Sequence, residues 1–512
     1  MTLAEIAAVV SAAVHAPVPV PAGCESVTVT SVEFDSRRVG PGALYVALPG
    51  ERVDGHDFAG AARESGAVAM LGGRSVPDLP TLVVDAPDAK PAGTAGSGVL
   101  PAALPVLAGL SALAAHVADR LIAGGLTVIG VTGSAGKTST KDLIAAVLRR
   151  AGTVVAPPES FNNEIGHPYT VLRADADTDY LVLELSARGL GHIAALAAVA
   201  PPRIGVVLNI GSAHLGEFGS RAVIARAKGE LVEALPVAAD GGVAVLNGDD
   251  LLVAAMSSRT AAAVVTTGLA PDATVRAARV DIDGAARASF TLLTPEGSAP
   301  VTLKVVGEHQ VSNALAAAAV GRAAGVPVAA MAEALSAAEP ASHWRMAVSE
   351  LPGGITLIND AYNANPESMR AALQALAVIG AGRRIWAVLG EMAELGAIAP
   401  REHGEIGRLA AGLGAHVLAI GPRARSIADA ARQDPSGSDE ARVRWVPDPE
   451  AALPVLIDGV RSGDVVLIKA SRSVGLERLA SRVAAELTAG HEDAAPTVQA
   501  PLQGERNGRE HP

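Results

Sequence analysis

TVIGVTGSAGKTSTKDLIAAVL, residues 127–148, is the stretch whose reading decides the fold of this 512-residue chain. A phosphate-binding loop follows the form G-x-x-x-x-G-K-[ST] between a strand and a helix. Gly136-Lys137-Thr138 supply the end of that form, but Val131 stands where its first glycine belongs, and the nearest glycines are Gly130 and Gly133. The frame is nonetheless right. LTVIGV reads as a strand, and TSTKDLIAAVLRRAG has helical periodicity that ends at Gly152. The two glycines open backbone conformations closed to other residues, so several N–H groups can converge on phosphate oxygens at a helix N-terminus. The loop Gly133, Ser134, Ala135, Gly136, Lys137, Thr138 and Ser139 is therefore expected to hold ATP phosphates. Lys137 would reach the β and γ groups, and the Thr138 hydroxyl would face Mg²⁺. The competing reading is an ordinary strand-to-helix turn with a surface lysine.

Composition narrows the partners. Hydrophobic residues make up 49% of the chain but aromatics only 2%, so the cores must be built from Ala, Val and Leu. A chain of this length predicts about two to four domains. The net charge of −12 argues against a broad nucleic-acid surface. Cys24 is the only cysteine, which excludes intramolecular disulfides and cysteine-rich zinc sites. No apolar run long enough to span a bilayer is free of charge or proline, so no membrane insertion is expected. MTLAEIAAVVSAAVHAP has no Lys or Arg before Arg37, unlike a signal peptide. It reads instead as an amphipathic helix capped by Thr2 and Glu5, with Leu3, Ile6, Val10 and Val14 on one face. These features predict a soluble cytoplasmic protein.

Three blocks follow one another. Residues 1–88 carry short strands (VTVTSVEFD, ALYVALPG, TLVVDAP) and a helix around FAGAARESGA. Residues 89–106 are rich in Gly, Pro, Ala and Ser and read as a linker or insertion. Residues 107–340 alternate strand and helix, with YLVLELS and RIGVVLNI as apolar runs suited to a parallel sheet buried on both faces. Residues 341–489 repeat the alternation through ITLIND, RIWAVLG, HVLAIG and DVVLIKA, a second doubly wound unit. Residues 490–512 are polar and are expected to be a disordered tail.

Other residues are suggestive only in company. Glu184 ends the apolar run YLVLE, where a charge is costly to bury unless a hard cation compensates it; taken alone, a strand-end Glu is more often a solvated edge or an ion pair, and the phosphate loop beside it favours the metal reading. His214 lies in the Gly- and Ser-rich loop after RIGVVLNI, and Lys228 lies on the next helix. Read singly, both are surface groups.

Seven strings, VTGSAGKTST, FNNEIGHP, LVLELSARG, LNIGSAHLGEFGS, ARAKGEL, GEHQVSNALAAAAV and NDAYNANPESM, occur in that order. Together the chain resembles the Mur ligase family, whose ATP loop has this shortened form. The likeness runs from FDSRRVGPGALYVALPGERVDGHDF to VLIKASRSVGLERL. It implies an α/β fold of three domains: an N-terminal UDP-substrate domain, a central parallel-sheet ATPase domain with the phosphate loop, and a C-terminal Rossmann-like domain. DAYNANPESM and LGEMAELG are similar to the branch that takes D-alanyl-D-alanine as acceptor and UDP-N-acetylmuramoyl-tripeptide as donor, acting as a monomer. A branch that adds a single amino acid to a shorter UDP-peptide is the alternative.

The resemblance also implies roles. Thr138 and Glu184 would hold one Mg²⁺, and His214 with Lys228 a second, Lys228 being carbamylated so that a cation becomes an oxygen ligand. Lys137, His214 and Lys228 would form the catalytic set. Asn313, Arg345, Asp360 and Asn363 would hold the rest of ATP. Ser36, Arg37, Asp54, Gly55 and His56 would mark the UDP end of the substrate. Asn162, Asn163 and Arg188 would meet the peptide, and Lys469, Ser471 and Arg472 would lie near D-alanyl-D-alanine. From another class, a nucleotide switch would require an N-K-x-D guanine reader, which is absent. A non-catalytic nucleotide-binding scaffold would have no use for the intact set of Lys137, Thr138, Glu184, His214 and Lys228.

Overall fold

The computed structural model describes residues 1–50, 53–86, 88, 100–157, 159–213, 215–434 and 442–493, with side chains up to 489. Most of the expected insertion, His214 and the tail from residue 494 lie outside the described residues.

Three sheets organise the chain. The first has four parallel strands in sequence order: Ser31–Glu33, Ala43–Val46, Ala67–Gly72 and Thr81–Val83. The N-terminal helix Leu3–Val14 covers one face. Its start is capped reciprocally, the Glu5 amide donating to the Thr2 hydroxyl and the Thr2 amide to the Glu5 carboxylate. Leu3, Ile6, Val10 and Val14 are buried against Leu44, Leu71 and Leu82, as the period-3.6 pattern requires.

The second sheet has nine strands. Thr127–Thr132 lies between Tyr180–Glu184 and Ile204–Val207, all parallel and buried on both faces. After this strand the chain adds Val154–Val155 and Tyr180–Glu184 on one side and then Ile204–Val207 on the other, a topological switch point, which places ligands at the strand's C-terminal end. Beyond Ala263–Gly268 the sheet continues as Val275–Ile282, Arg287–Thr294 and Gly297–Val306, the last two pairings antiparallel. That ribbon departs from the simple α/β alternation expected here. Its strands alternate between buried and exposed residues because one face is open to solvent.

The third sheet has six strands, with Val465–Lys469 between Ile355–Asn359 and Ile385–Leu389. Two strands absent from the expected set extend its edges, Ala347–Leu351 and Val443–Val446.

Helix Leu104–Ala123 runs through the boundary expected at Leu107. Val106, Leu107, Leu110 and Leu113 enter the first domain's core, while Ala114 and Ala118 enter the central one. The stretch Pro101–Ala123 is long and apolar enough to cross a bilayer by composition alone. Its apolar side is committed to these two cores, and it carries Asp119 and Arg120 near its end. A second seam joins the first two domains. The rings of Phe34, Phe161 and Tyr169 meet edge to face with centroids 4.9–6.2 Å apart, and the Tyr169 hydroxyl donates to Glu33 at 2.6 Å.

Candidate functional site

The phosphate loop turns out of strand Thr127–Thr132 into helix Lys137–Leu148. Gly136 occupies the helix N-cap at φ +82°, and a Cβ there would stand 2.6 Å from the Asn313 side-chain oxygen. Glycine is needed on both counts. A Gly136→Ala substitution is accordingly expected to strain the loop by about 1–2 kcal/mol and to push Asn313 aside. Calorimetry with Mg·ADP should read a loss of affinity on the order of tenfold. Unchanged affinity would show that the loop tolerates another conformation.

One side chain holds the short loop in shape. Asn209 Oδ1 accepts from the amides of Ser134 and Ala135 at 3.0 and 2.9 Å, while its Nδ2 donates to the Ala135 carbonyl at 3.1 Å. The Gly211 amide donates to the Ser134 hydroxyl at 2.9 Å.

Two lysines converge beneath the loop. Lys137 Nζ donates to the Gly133 carbonyl at 2.8 Å, and Lys228 Nζ donates to the same oxygen at 3.1 Å. Lys228, on helix Arg221–Glu233, is 2% exposed, so the reading of it as a surface charge is wrong. Burial, reinforced by the charge of Lys137, pushes its pKa well below the ordinary lysine value. Lys137 is also lowered, first by desolvation; the Glu184 carboxylate opposes that shift and Arg345 adds to it.

Glu184 closes strand Tyr180–Glu184 and is 1% exposed. Its Oε2 accepts from Thr138 Oγ1 at 2.8 Å and its Oε1 from Asn162 Nδ2 at 2.7 Å; Ser160 donates to both oxygens at 3.2–3.3 Å. A hydroxyl and a carboxylate side by side beneath a phosphate loop suit Mg²⁺, which keeps several waters and takes its other ligands from phosphate. Among the described residues no group of three or more His, Cys, Asp and Glu forms an all-protein metal cage. A site completed by substrate oxygens is what this donor set fits.

The opposite wall comes from the third domain. Arg345 lies between Trp344 and Met346, whose φ values of +57° and +49° are rare for such side chains. That backbone turns the guanidinium inward. Its Nη2 donates to Ser160 at 2.9 Å, its plane lies 4.3 Å from the Tyr362 ring centroid, and its Nε is buried without a partner. An unpaired cationic donor facing the loop suits an anionic ligand. Asp360 accepts from the Met346 amide and from Lys469 Nζ at 3.0 and 2.6 Å, and Lys469 also donates to the Asn363 carbonyl at 2.8 Å. Lys469 is 2% exposed, and its amine is engaged with Asp360 and Asn363. Ser471 donates to the Ala364 carbonyl, and the Arg472 guanidinium lies over Trp344.

A cavity of about 630 Å³ separates the two walls. Ser134, Ala135, Gly136, Lys137, Thr138 and Ser139 line it with Glu184, Asn162, Asn163, Arg188 and Asn313; across from them stand Arg345, Asp360, Asn363, Lys469, Ser471 and Arg472. Gly133 and Lys228 lie beneath it. Five expected substrate residues do not line it. Arg37 is exposed and paired with Asp35 at 2.7 Å, and Ser36 beside it is half-buried. His56 is buried, its Nδ1 2.6 Å from Asp54 and its Nε2 accepting from the Gly73 amide at 3.0 Å. Gly55 accepts from Tyr45, and a Cβ there would stand 2.8 Å from the Leu48 amide nitrogen. Asp54, Gly55 and His56 are held by contacts within the first domain. His214 lies outside the described residues.

Sequence reasoning missed Asn209, Ser160 and Asn365. Asn209 had a signal, because it is a polar residue at the end of an apolar strand run, as Glu184 is.

Known proteins resemble this chain along nearly its whole length. Three family models match: the Mur ligase family catalytic domain over residues 28–120, the Mur ligase middle domain over 131–321, and the Mur ligase glutamate ligase domain over 344–472. A UDP-N-acetylmuramoyl-tripeptide–D-alanyl-D-alanine ligase of Mycobacterium tuberculosis is 52% identical over 514 aligned positions, covering 96% of this chain and 99% of the relative. The enzyme of the same name from Escherichia coli is 35% identical, covering 85% and 92%. Among solved structures, MurF from Acinetobacter baumannii superposes with a TM-score of 0.76 at 28% identity, covering 94% of this chain and 98% of the other. MurF ligase from Thermotoga maritima in complex with ADP gives 0.71 at 28% identity, covering 91% and 98%.

Proposed function

The chain belongs to the Mur ligase family, and from that membership we propose its reaction: ATP-dependent joining of D-alanyl-D-alanine to UDP-N-acetylmuramoyl-tripeptide, a step of peptidoglycan precursor synthesis. The observation that carries it is the cavity itself, with a phosphate loop on one wall and the cationic and carboxylate groups of another domain on the other. The relatives supply the identity of the substrates.

Carboxylate and amine do not condense unaided in water. The tripeptide's terminal carboxylate attacks the γ-phosphorus of ATP, the bond to the bridging oxygen breaks, and ADP leaves behind an acyl phosphate. The amine of D-alanyl-D-alanine then attacks the acyl carbon, phosphate departs, and the amine loses a proton. The first step brings two anions together, so the site must supply positive charge and fixed geometry. Lys137, leaving its contact with Gly133, neutralises the γ-phosphate. Arg345 approaches the phosphates from the third domain and uses its unpaired Nε. Asn313, Asp360 and Asn363 orient the remainder of ATP, and Asn162 and Asn163 orient the peptide beside Glu184. Arg188, Ser471 and Arg472 border the end of the cavity left for the acceptor.

Thr138 and Glu184 would hold one Mg²⁺ and His214 with Lys228 a second, and the ions would supply positive charge to the phosphate oxygens. An ammonium cannot ligate a cation, so Lys228 serves as its carbamate: the neutral amine adds to CO₂ and releases one proton. Burial, which favours the neutral amine, supports this reading. The use of ATP and UDP-linked substrates supports a cytoplasmic reaction.

The test is ADP release by the purified protein with UDP-muramoyl peptides of different length, using D-alanyl-D-alanine or single amino acids as acceptor. Turnover is expected only with the tripeptide and the dipeptide acceptor together. Preference for a dipeptide donor and a single amino acid would replace the proposal with the other branch of the family.

A further inference from the structure

Helix Pro366–Ile379 of the third domain starts against the phosphate loop of the second. Its N-cap residue, Asn365, donates through Nδ2 to the Ser134 carbonyl at 3.2 Å. Two residues on, Glu367 crosses the same boundary: its Oε1 accepts from both the amide and the hydroxyl of Ser212 at 2.9 Å. The approach is close enough that a Cβ on Gly211 would stand 2.6 Å from the Glu367 carboxyl carbon. Gly211 in turn donates to the Ser134 hydroxyl, and the chain just before it carries Asn209, which shapes the loop. The carboxylate therefore grips the segment that holds the phosphate loop.

Its other oxygen is the informative one. Glu367 Oε2 is buried and has no hydrogen-bond partner, although the side chain borders the cavity. A buried, unsatisfied carboxylate oxygen is unfavourable and would be relieved by water if the domains parted. The contact with Ser212 thus works against a standing desolvation penalty. Such a contact makes a latch that holds but can release, as a site that must admit and discharge substrates requires.

We propose that Glu367 is a positioning residue, a latch that couples seating of the third domain to the phosphate-loop shape that binds nucleotide. The inference rests on the reading of the cavity as the ATP site. Nucleotide meets a loop already gripped from across the boundary, so the latched fraction sets the apparent affinity.

The full-length protein can be titrated with Mg·ADP by calorimetry, with its radius of gyration followed by small-angle scattering. Glu367→Ala is expected to bind Mg·ADP on the order of tenfold more weakly and to compact less on binding, with unchanged thermal unfolding in the absence of nucleotide. Glu367→Gln should stay near wild type, because its amide oxygen still accepts from Ser212. Ser212→Ala should weaken binding by itself but add nothing to Glu367→Ala, and it reads the same contact should the latter fail to fold. Wild-type protein that does not bind Mg·ADP would overturn the ATP-site reading. Normal binding and compaction in Glu367→Ala, or in Ser212→Ala if only that variant folds, would overturn the latch alone. Equal loss in Glu367→Gln would overturn it in favour of a general charge effect.

Discussion

Lys137→Ala should release ADP more slowly by roughly 10²–10³-fold, the range found when one pre-positioned transition-state donor is removed. The loop should survive the change. In the structure the Gly133 carbonyl accepts from both Lys137 and Lys228, so losing one amine leaves the other in place. Circular dichroism should therefore match wild type, and Mg·ADP should still bind, though more weakly, because Lys137 also reaches the β-phosphate that ADP keeps. Lys137→Arg should not restore the rate: a planar fork cannot occupy the place of a compact ammonium. Wild-type turnover in Lys137→Ala would remove the central claim of the proposed mechanism.

Lys228 carries the second large effect. An ammonium does not react with CO₂ but a neutral amine does, and burial beside Lys137 moves Lys228 toward the neutral form. Since its folded pKa is depressed, the neutral amine persists to lower pH than on a surface lysine. Carbamylation should thus be possible near neutrality and be lost on acidification. Lys228→Ala is expected to lower turnover by roughly 10²-fold or more. Acetate, a short carboxylate, should restore part of that activity by filling the vacated position. Lys228→Arg should be as inactive and resist rescue, because guanidinium keeps a fixed charge and adds bulk. Full activity in Lys228→Arg would return Lys228 to a purely structural role as a donor to Gly133.

Much of this site was legible because charge and glycine leave strong marks in sequence. A lysine after two glycines at a strand-to-helix turn, and a carboxylate closing an apolar run, each carry a cost that demands an explanation. Neutral amides carry no such mark. Asn209 bonds the loop three times at its core, yet in sequence it is one polar letter after VVL. Contacts across domains are harder still. Ser160 meets Arg345 across 185 positions and Ser134 meets Asn365 across 231, and no local pattern encodes either pairing. The antiparallel ribbon of residues 275–306 escaped notice for a related reason: burial alternates along it, but Ala277 and Ala278, on opposite faces, are the same letter in sequence. Asp54-Gly55-His56 is a different case: the string stands out in sequence, and the structure shows His56 bonded to Asp54 and Gly73 inside its own domain, away from the cavity.

The chain holds only three tryptophans. Trp386 donates to Asp464 and Trp445 to the Gly421 carbonyl, both within the third domain. Trp344 differs, standing at the junction between Ser342, which donates to Asp142 of the central domain, and Arg345, with the Arg472 guanidinium 4.4 Å above its ring. Indole emission follows the polarity and charge around the ring, so two of the three chromophores give a constant background while the third sits where the domains join. The protein thus carries an intrinsic optical gauge of its own articulation, readable in a stopped-flow fluorimeter without any label, and Trp344→Phe supplies the blank.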